Sequence, residues 1–217
     1  MAAVLTAVCF DAEDPARQEA FWAAMLAGAD PGFAVRFRPA RVPKTGPNVA
    51  HFDLTSSSLD DQRATVDRAL SLGARHLDIG QGPDADHVVL ADPEGNEFDV
   101  IAPGNRFLAG CGFVGALCCD GTREVGYFWS RALGWPLVWD QDEETAIQSP
   151  SGGPKITWGG PPLNPNNGRF HFELTASETE IAHLLSLGAT EPGGVLGGPA
   201  RVLADPDGTV ISIARRP

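Results

Sequence analysis

Four blocks of this chain occur twice in the same order, so the fold must be one that is built by duplication. Phe10-Asp11 followed by Phe21-Trp22 returns as Cys119-Asp120 followed by Phe128-Trp129. His51-Phe52-Asp53-Leu54-Thr55 returns as His171-Phe172-Glu173-Leu174-Thr175. The run from Leu70 to Ala74 returns as Leu185 to Ala189, and Val89 to Pro93 as Val202 to Pro206. A repeat of this kind is one folding unit used twice. The join, Ala102 to Gly112, carries Pro103, Gly104, Gly110 and Gly112 and reads as a linker. Two domains are therefore expected, 1–103 and 110–217.

The offsets locate the differences between the copies. Phe21 to Phe128 is an offset of 107 residues, and His51 to His171 is one of 120. The second copy thus gains thirteen residues (120 − 107) between its first helix and its histidine strand.

Each copy alternates the two periodicities of an α+β unit. Val4 to Phe10 is an apolar, β-branched run that reads as a strand. Asp14 is a helix N-cap with Pro15 at the first helical position, and Gly28 follows the helix. Val49 to Thr55 alternates with period two, which puts His51, Asp53 and Thr55 on one face and Phe52 and Leu54 on the other. Ser58 opens a second helix that ends at Gly73. Residues 88–90 and 97–101 form a hairpin around Asp92-Pro93-Glu94-Gly95-Asn96. In the second copy, Ser177 and Glu180 have capping-box spacing.

Charge narrows the partners. With 28 acidic and 16 basic residues the net charge is −12. Nucleic acid and anionic membrane surfaces are poor partners for such a chain, because both require a basic face. The start of the chain lacks the basic segment of a secretory signal, and no apolar run reaches membrane-spanning length. Four cysteines without a CxxC pair fit a reducing compartment, so a cytoplasmic location is expected.

The ordered set of an aspartate-ended strand, a Phe-Trp helix, an HFDL-type strand and a DPxGN hairpin resembles the vicinal-oxygen-chelate superfamily. Within it the likeness is to the glyoxalase, bleomycin-resistance and dioxygenase group. The likeness covers nearly the whole chain, in both copies. It implies tandem βαβββ modules that form two half-open barrels, each with a ligand in its cup. It also implies a divalent metal held from the first, fourth, fifth and last strands. The first-strand position falls at Ala7 and Ala116, and the fifth-strand histidine at His51 and His171. The last-strand position falls at Asp99 and Ser212. Copy one therefore retains His51 and Asp99 as metal residues, an incomplete set for one divalent ion.

Alternation within each copy also gives expected cup contents. Copy one would combine Cys9 and Asp11 with His51, Asp53, Glu97 and Asp99, an acidic cup. Copy two would combine Cys118 and Asp120 with His171, Glu173 and Thr175, with Trp139 and Trp158 nearby. The ligand-binding candidates are thus Asp11, Asp120, Trp158, His171 and Glu173. Two functions compete. One is a binding protein that sequesters a drug or metabolite, because an acidic, aromatic cup suits a cationic small molecule. The other is a metal-dependent lyase, isomerase or dioxygenase in which His51, beside Asp53, acts as general base. Structural roles compete as well: Asp11 and Asp120 as turn residues, Trp22 and Trp129 as core, and Cys9 and Cys118 as buried packing. Further association into a homodimer is left open.

Overall fold

A computed structural model describes residues 2–82, 85–160, 163–164, 168–192 and 201–216. It is of mixed α+β class. The elements run β1 (Val4–Ala12), α1 (Pro15–Met25), β2 (Ala34–Pro39), β3 (Ala50–Leu54), α2 (Leu59–Ser71), β4 (Arg75–His76), β5 (His87–Ala91) and β6 (Glu97–Ile101). The second repeat follows as β7 (Val114–Cys119), α3 (Arg123–Leu133), β8 (Leu137–Gln141), β9 (Glu144–Gln148), β10 (Lys155–Trp158), β11 (Phe170–Ala176), α4 (Glu178–Ser186), β12 (Arg201–Ala204) and β13 (Val210–Arg215). The residues gained by the second copy make β8 and β9, which have no counterpart in the first.

The helix starts follow their local chemistry. The Asp14 side chain accepts the Arg17 N–H, and Ser58 accepts that of Asp61. Ser177 and Glu180 form the complete reciprocal box.

The sheets do not follow the repeats. One, here sheet A, has strand order β12-β13-β11-β1-β2. The other, sheet B, has order β4-β5-β6-β3-β7-β10-β9-β8. Each takes one half of each repeat, and neither closes into a barrel. At the two seams the strands run antiparallel and the registers match: Cys9 lies opposite His171, and Cys118 opposite His51. This is a pseudo-two-fold arrangement in which the repeats exchange halves, as subunits do in a symmetric pair.

The repeated Phe-Trp and Asp-Pro blocks hold the two sheets together. Trp22, on the helix that packs against β1 and β2 of sheet A, donates its indole N–H to Asp92 in the β5–β6 turn of sheet B at 3.2 Å. Trp129, over sheet B, donates to Asp205 in the β12–β13 turn of sheet A at 3.0 Å. The same turns cap the opposite helices. Glu94 accepts the N–H groups of Glu13 and Asp14, and Asp207 accepts that of Thr122. These aromatics belong to one continuous core on the helix-covered faces, with Phe52, Phe98 and Phe172. The opposite faces are the cups.

Candidate functional site

Strand alternation places each functional side chain. On β3, Phe52 and Leu54 enter the core while His51 and Asp53 face the cup of sheet B. The parallel neighbour β6 sets Asp99 beside Asp53. The antiparallel neighbour β7 sets Cys118 beside His51. His51 Nε2 lies 3.6 Å from Asp53 and 3.8 Å from Asp99. One atom each of His51, Asp53 and Cys118 come within 4.8 Å of one another.

Electrostatics mark this cluster. Burial raises the pKa of Asp53, opposed by His51. Asp99 is raised by burial and further by Asp53, again opposed by His51. Two adjacent carboxylates taken out of water destabilise their charged forms, which a nearby cation relieves. The Cys118 thiol is held well above its ordinary range by burial, so it stays protonated.

A cavity of about 320 Å³ opens over the cluster, lined by His51, Asp53, Cys118, Asp120, Phe107 and Trp139 among others. That is the low end of small-molecule pockets. The linker supplies part of its wall. Phe107 meets Trp139 edge-on with centroids 5.4 Å apart, and Leu108 packs with Ile101 and Ala116. The Lys155 ammonium lies 4.4 Å from the Phe107 ring centroid and is bonded to the Phe107 carbonyl.

The cup of sheet A has the same backbone and different chemistry. His171 and Glu173 on β11 face Cys9 on β1. The other neighbour of β1 is β2, whose Arg36 and Arg38 share the cup face while Phe37 enters the core. Arg36 pairs with Glu173. Arg38 donates to His171 Nδ1 at 2.9 Å and stands 3.6 Å from Asp11. His171 is 1% exposed, and its pKa is pushed down to about 4, first by burial and then by Arg38. Cys9 is pushed up to about 12 by burial.

The sequence-derived candidates are thus redistributed. His51, Asp53 and Asp99 come together as expected within copy one. Cys9 and Asp11 do not join them, because β1 pairs with β11 and β2 rather than with β3. His171 and Glu173 separate from Cys118 and Asp120 for the same reason. Asp120 reaches the sheet B cavity, where its carboxylate accepts both the backbone N–H and the side-chain amide of Asn164. Asp11 lies on the sheet A cup face opposite Arg38 and is buried. Trp158 is corrected to a core residue: it is 2% exposed on the helix face and stacks on Trp129. The single acidic cup of copy one does not form either, because four arginines lie around its expected members Cys9 and Asp11. Arg36 and Arg38 were missed, although their Val35-Arg36-Phe37-Arg38 alternation already assigned them one face.

The donors fit a divalent cation in sheet B and do not fit one in sheet A. In sheet B the imidazole of His51 lies within 3.8 Å of both Asp53 and Asp99, and with Asp53 and Cys118 it offers donor atoms within 4.8 Å of one another, a set led by nitrogen and oxygen. In sheet A the guanidiniums already hold His171 and Glu173, and the Cys9 thiol would have to ionise far above its ordinary range.

Two open sheets, each assembled from half-repeats and each presenting a histidine at the same inward position, define the tandem half-barrel class of the vicinal-oxygen-chelate superfamily. The sequence profile of the glyoxalase-like domain matches residues 7–101 and 115–214, and the chain belongs to that family. Glyoxalase I from Zea mays superposes with a TM-score of 0.65 at 14% identity, over 98% of this chain and 92% of that one. A putative dioxygenase from Bacillus subtilis subsp. subtilis str. 168 gives 0.61 at 15% identity, over 98% and 85%. At these identities the likeness is one of fold. No curated protein matches significantly by sequence. Among the described residues no helix is long and apolar enough to cross a membrane.

Proposed function

We propose that this is a small-molecule-binding protein whose working site is the cup of sheet B. The observation that carries this reading is the pair His51 and Asp53, with Asp99 beside His51, lining a cavity walled by Phe107 and Trp139. Buried carboxylates beside aromatic faces favour a cationic or amphipathic ligand, as sequestration of a drug or metabolite requires. Asp120 adds a further carboxylate at the cavity edge.

A metal-dependent reading rests on the same donors. His51, Asp53 and Asp99 would hold one divalent ion, which when bound supplies Lewis-acid polarisation of a substrate oxygen. In that setting the chain's own part is to position the substrate and exclude water through Phe107 and Trp139. In a metal-free reaction, His51 beside Asp53 is the group placed to take a proton. Lyase, isomerase and dioxygenase chemistries all fall within this reading. The protein is expected to act in the cytoplasm on a free small molecule.

Metal content after exposure to manganese, iron, nickel and zinc separates the two. Close to one equivalent, lost in His51→Ala and in Asp99→Ala, supports the metal-dependent reading. Absence of metal under every condition, with thermal stabilisation by cationic aromatic compounds, supports sequestration. A ligand present at a hundred times its Kd adds about 2.7 kcal/mol to stability. The absence of both bound metal and any stabilising compound would overturn the assignment of this cup.

A further inference from the structure

We infer that the cup of sheet A is a second site, built for a small carboxylate anion. Position-by-position comparison of the cups carries this. The ladders make Ala7 equivalent to Ala116, Cys9 to Cys118, His171 to His51 and Glu173 to Asp53. At the position of Asp99, sheet A has Ser212, the β13 partner of Glu173. At the position of Thr157, the β10 partner of Cys118, it has Arg36, the β2 partner of Cys9. One residue pair further along, Arg38 faces Asp11. Sheet A has therefore lost a carboxylate and gained two guanidiniums in the same framework.

The balance of charge follows. Arg38, Arg41 and Arg169 all act on Asp11, and Arg36 on Glu173. By geometry Arg36 pairs with Glu173, Arg38 stands 3.6 Å from Asp11, and Arg169 donates to the carbonyls of Val42 and Asp11, so three guanidiniums lie by two carboxylates in a chain whose net charge is −12. Each guanidinium has five donors. Arg36 gives one to Glu173, and Arg38 gives one to His171. Arg38 also stands by Asp11, and the donors left on the two guanidiniums are of the kind that pairs with a carboxylate. Their side chains are 56% and 38% exposed, so these donors are accessible.

An independent observation points to an acceptor. Arginine only donates, so His171 Nδ1 must accept, and the neutral ring carries its proton on Nε2. That Nε2 is buried without a hydrogen-bond partner, and the Glu173 carboxylate is 3.6 Å away. An orphaned buried donor is costly. A carboxylate that takes the place of Glu173 on Arg36 brings an oxygen to this N–H. With Glu173 and Asp11 still nearby, a monoanion is favoured over a phosphate dianion.

The test is calorimetric titration at low ionic strength with acetate, pyruvate, benzoate and inorganic phosphate, on the whole chain. Saturable binding of a carboxylate is expected, weakened at least tenfold in Arg36→Met and in Arg38→Met. Glu173→Gln removes the internal competitor and should tighten binding several-fold, which a merely structural role for these residues would not produce. His51→Ala, in the other cup, should leave the affinity unchanged. In nitrogen NMR, the His171 Nε2 resonance should shift on carboxylate addition. Lack of saturable binding by every anion, tighter binding of phosphate than of carboxylates, or a Glu173→Gln variant that binds more weakly would each overturn the inference.

Discussion

The two cups share a strand order at their seams, a histidine, a cysteine and a register, and yet they present opposite chemistry. In sheet B the histidine side chain is 34% exposed and flanked by two carboxylates. In sheet A its counterpart is 1% exposed and bonded to an arginine. The histidine does not set its own role. Its neighbours do, and they come from β2 in one cup and from its own strand and β6 in the other. Duplication supplied two equal frameworks, and substitutions on the flanking strands divided them.

The largest test of this division is metal retention. Loss of a residue that only hydrogen-bonds a metal ligand costs about 10- to 100-fold in metal affinity. Loss of a ligand itself in His51→Ala should therefore exceed about 100-fold, whereas His171→Ala should leave metal content unchanged. Equal effects of the two variants would erase the distinction between the cups.

Next in size is a pH dependence that belongs to sheet A. Unfolded histidine takes a proton near pH 6.5, while His171 in the fold does so only near 4. Between those values the unfolded state binds more protons, so stability falls as pH falls. His171 contributes fully above about 6.5, and roughly 3 kcal/mol should be lost by pH 4. Denaturant unfolding from pH 4 to 7 should show this slope, and His171→Gln should flatten it. An unchanged slope in that variant would remove His171 from the account.

The inter-sheet tryptophans differ more subtly. Asp92 keeps the Asn96 amide on the same oxygen that accepts from Trp22. The oxygen of Asp205 that accepts from Trp129 has no second donor among the described hydrogen bonds. Burial also raises Asp205 to about 6, in spite of the Trp129 bond. Trp129→Phe should therefore cost about 2–3 kcal/mol and Trp22→Phe about 1, from the loss of a hydrogen bond with and without an orphaned partner. Thermal unfolding of the pair would show the order.

Smallest is the effect of the added strands. Gly126 on α3 packs against Thr145 of β9, and a Cβ there would collide with that side chain. Its counterpart in the first repeat is Glu19, exposed because that copy lacks β8 and β9. For Gly126→Ala, overpacking of about 1–3 kcal/mol outweighs a helix gain of about 1. Glu19→Ala should stay within about 0.5 kcal/mol. Equal melting temperatures for the two variants would mean that β9 yields.

Most of the local structure was legible in the residues. The repeat, the capped helices, the hairpins and the alternating faces of β1, β3 and β11 all follow from spacings of a few residues, where backbone preference and side-chain periodicity act. The inward placement of His51, Asp53, Asp99, His171 and Glu173 was legible for the same reason. Trp158 was misread because a short four-residue strand offers too little alternation to fix its faces.

The sequence by itself determined which side of each strand a residue occupies, since period two is local. It did not determine which strand lies alongside. That choice was made by the tertiary structure, where β1 meets β11 across 167 residues and β3 meets β7 across the linker. Pairing of this range is decided by burying both helix-covered faces in one core and by the Trp–Asp bonds between sheets. The seam strand β1 carries β2 and its arginines to His171, whereas the carboxylates beside His51 come from its own strand and from β6 of the same repeat.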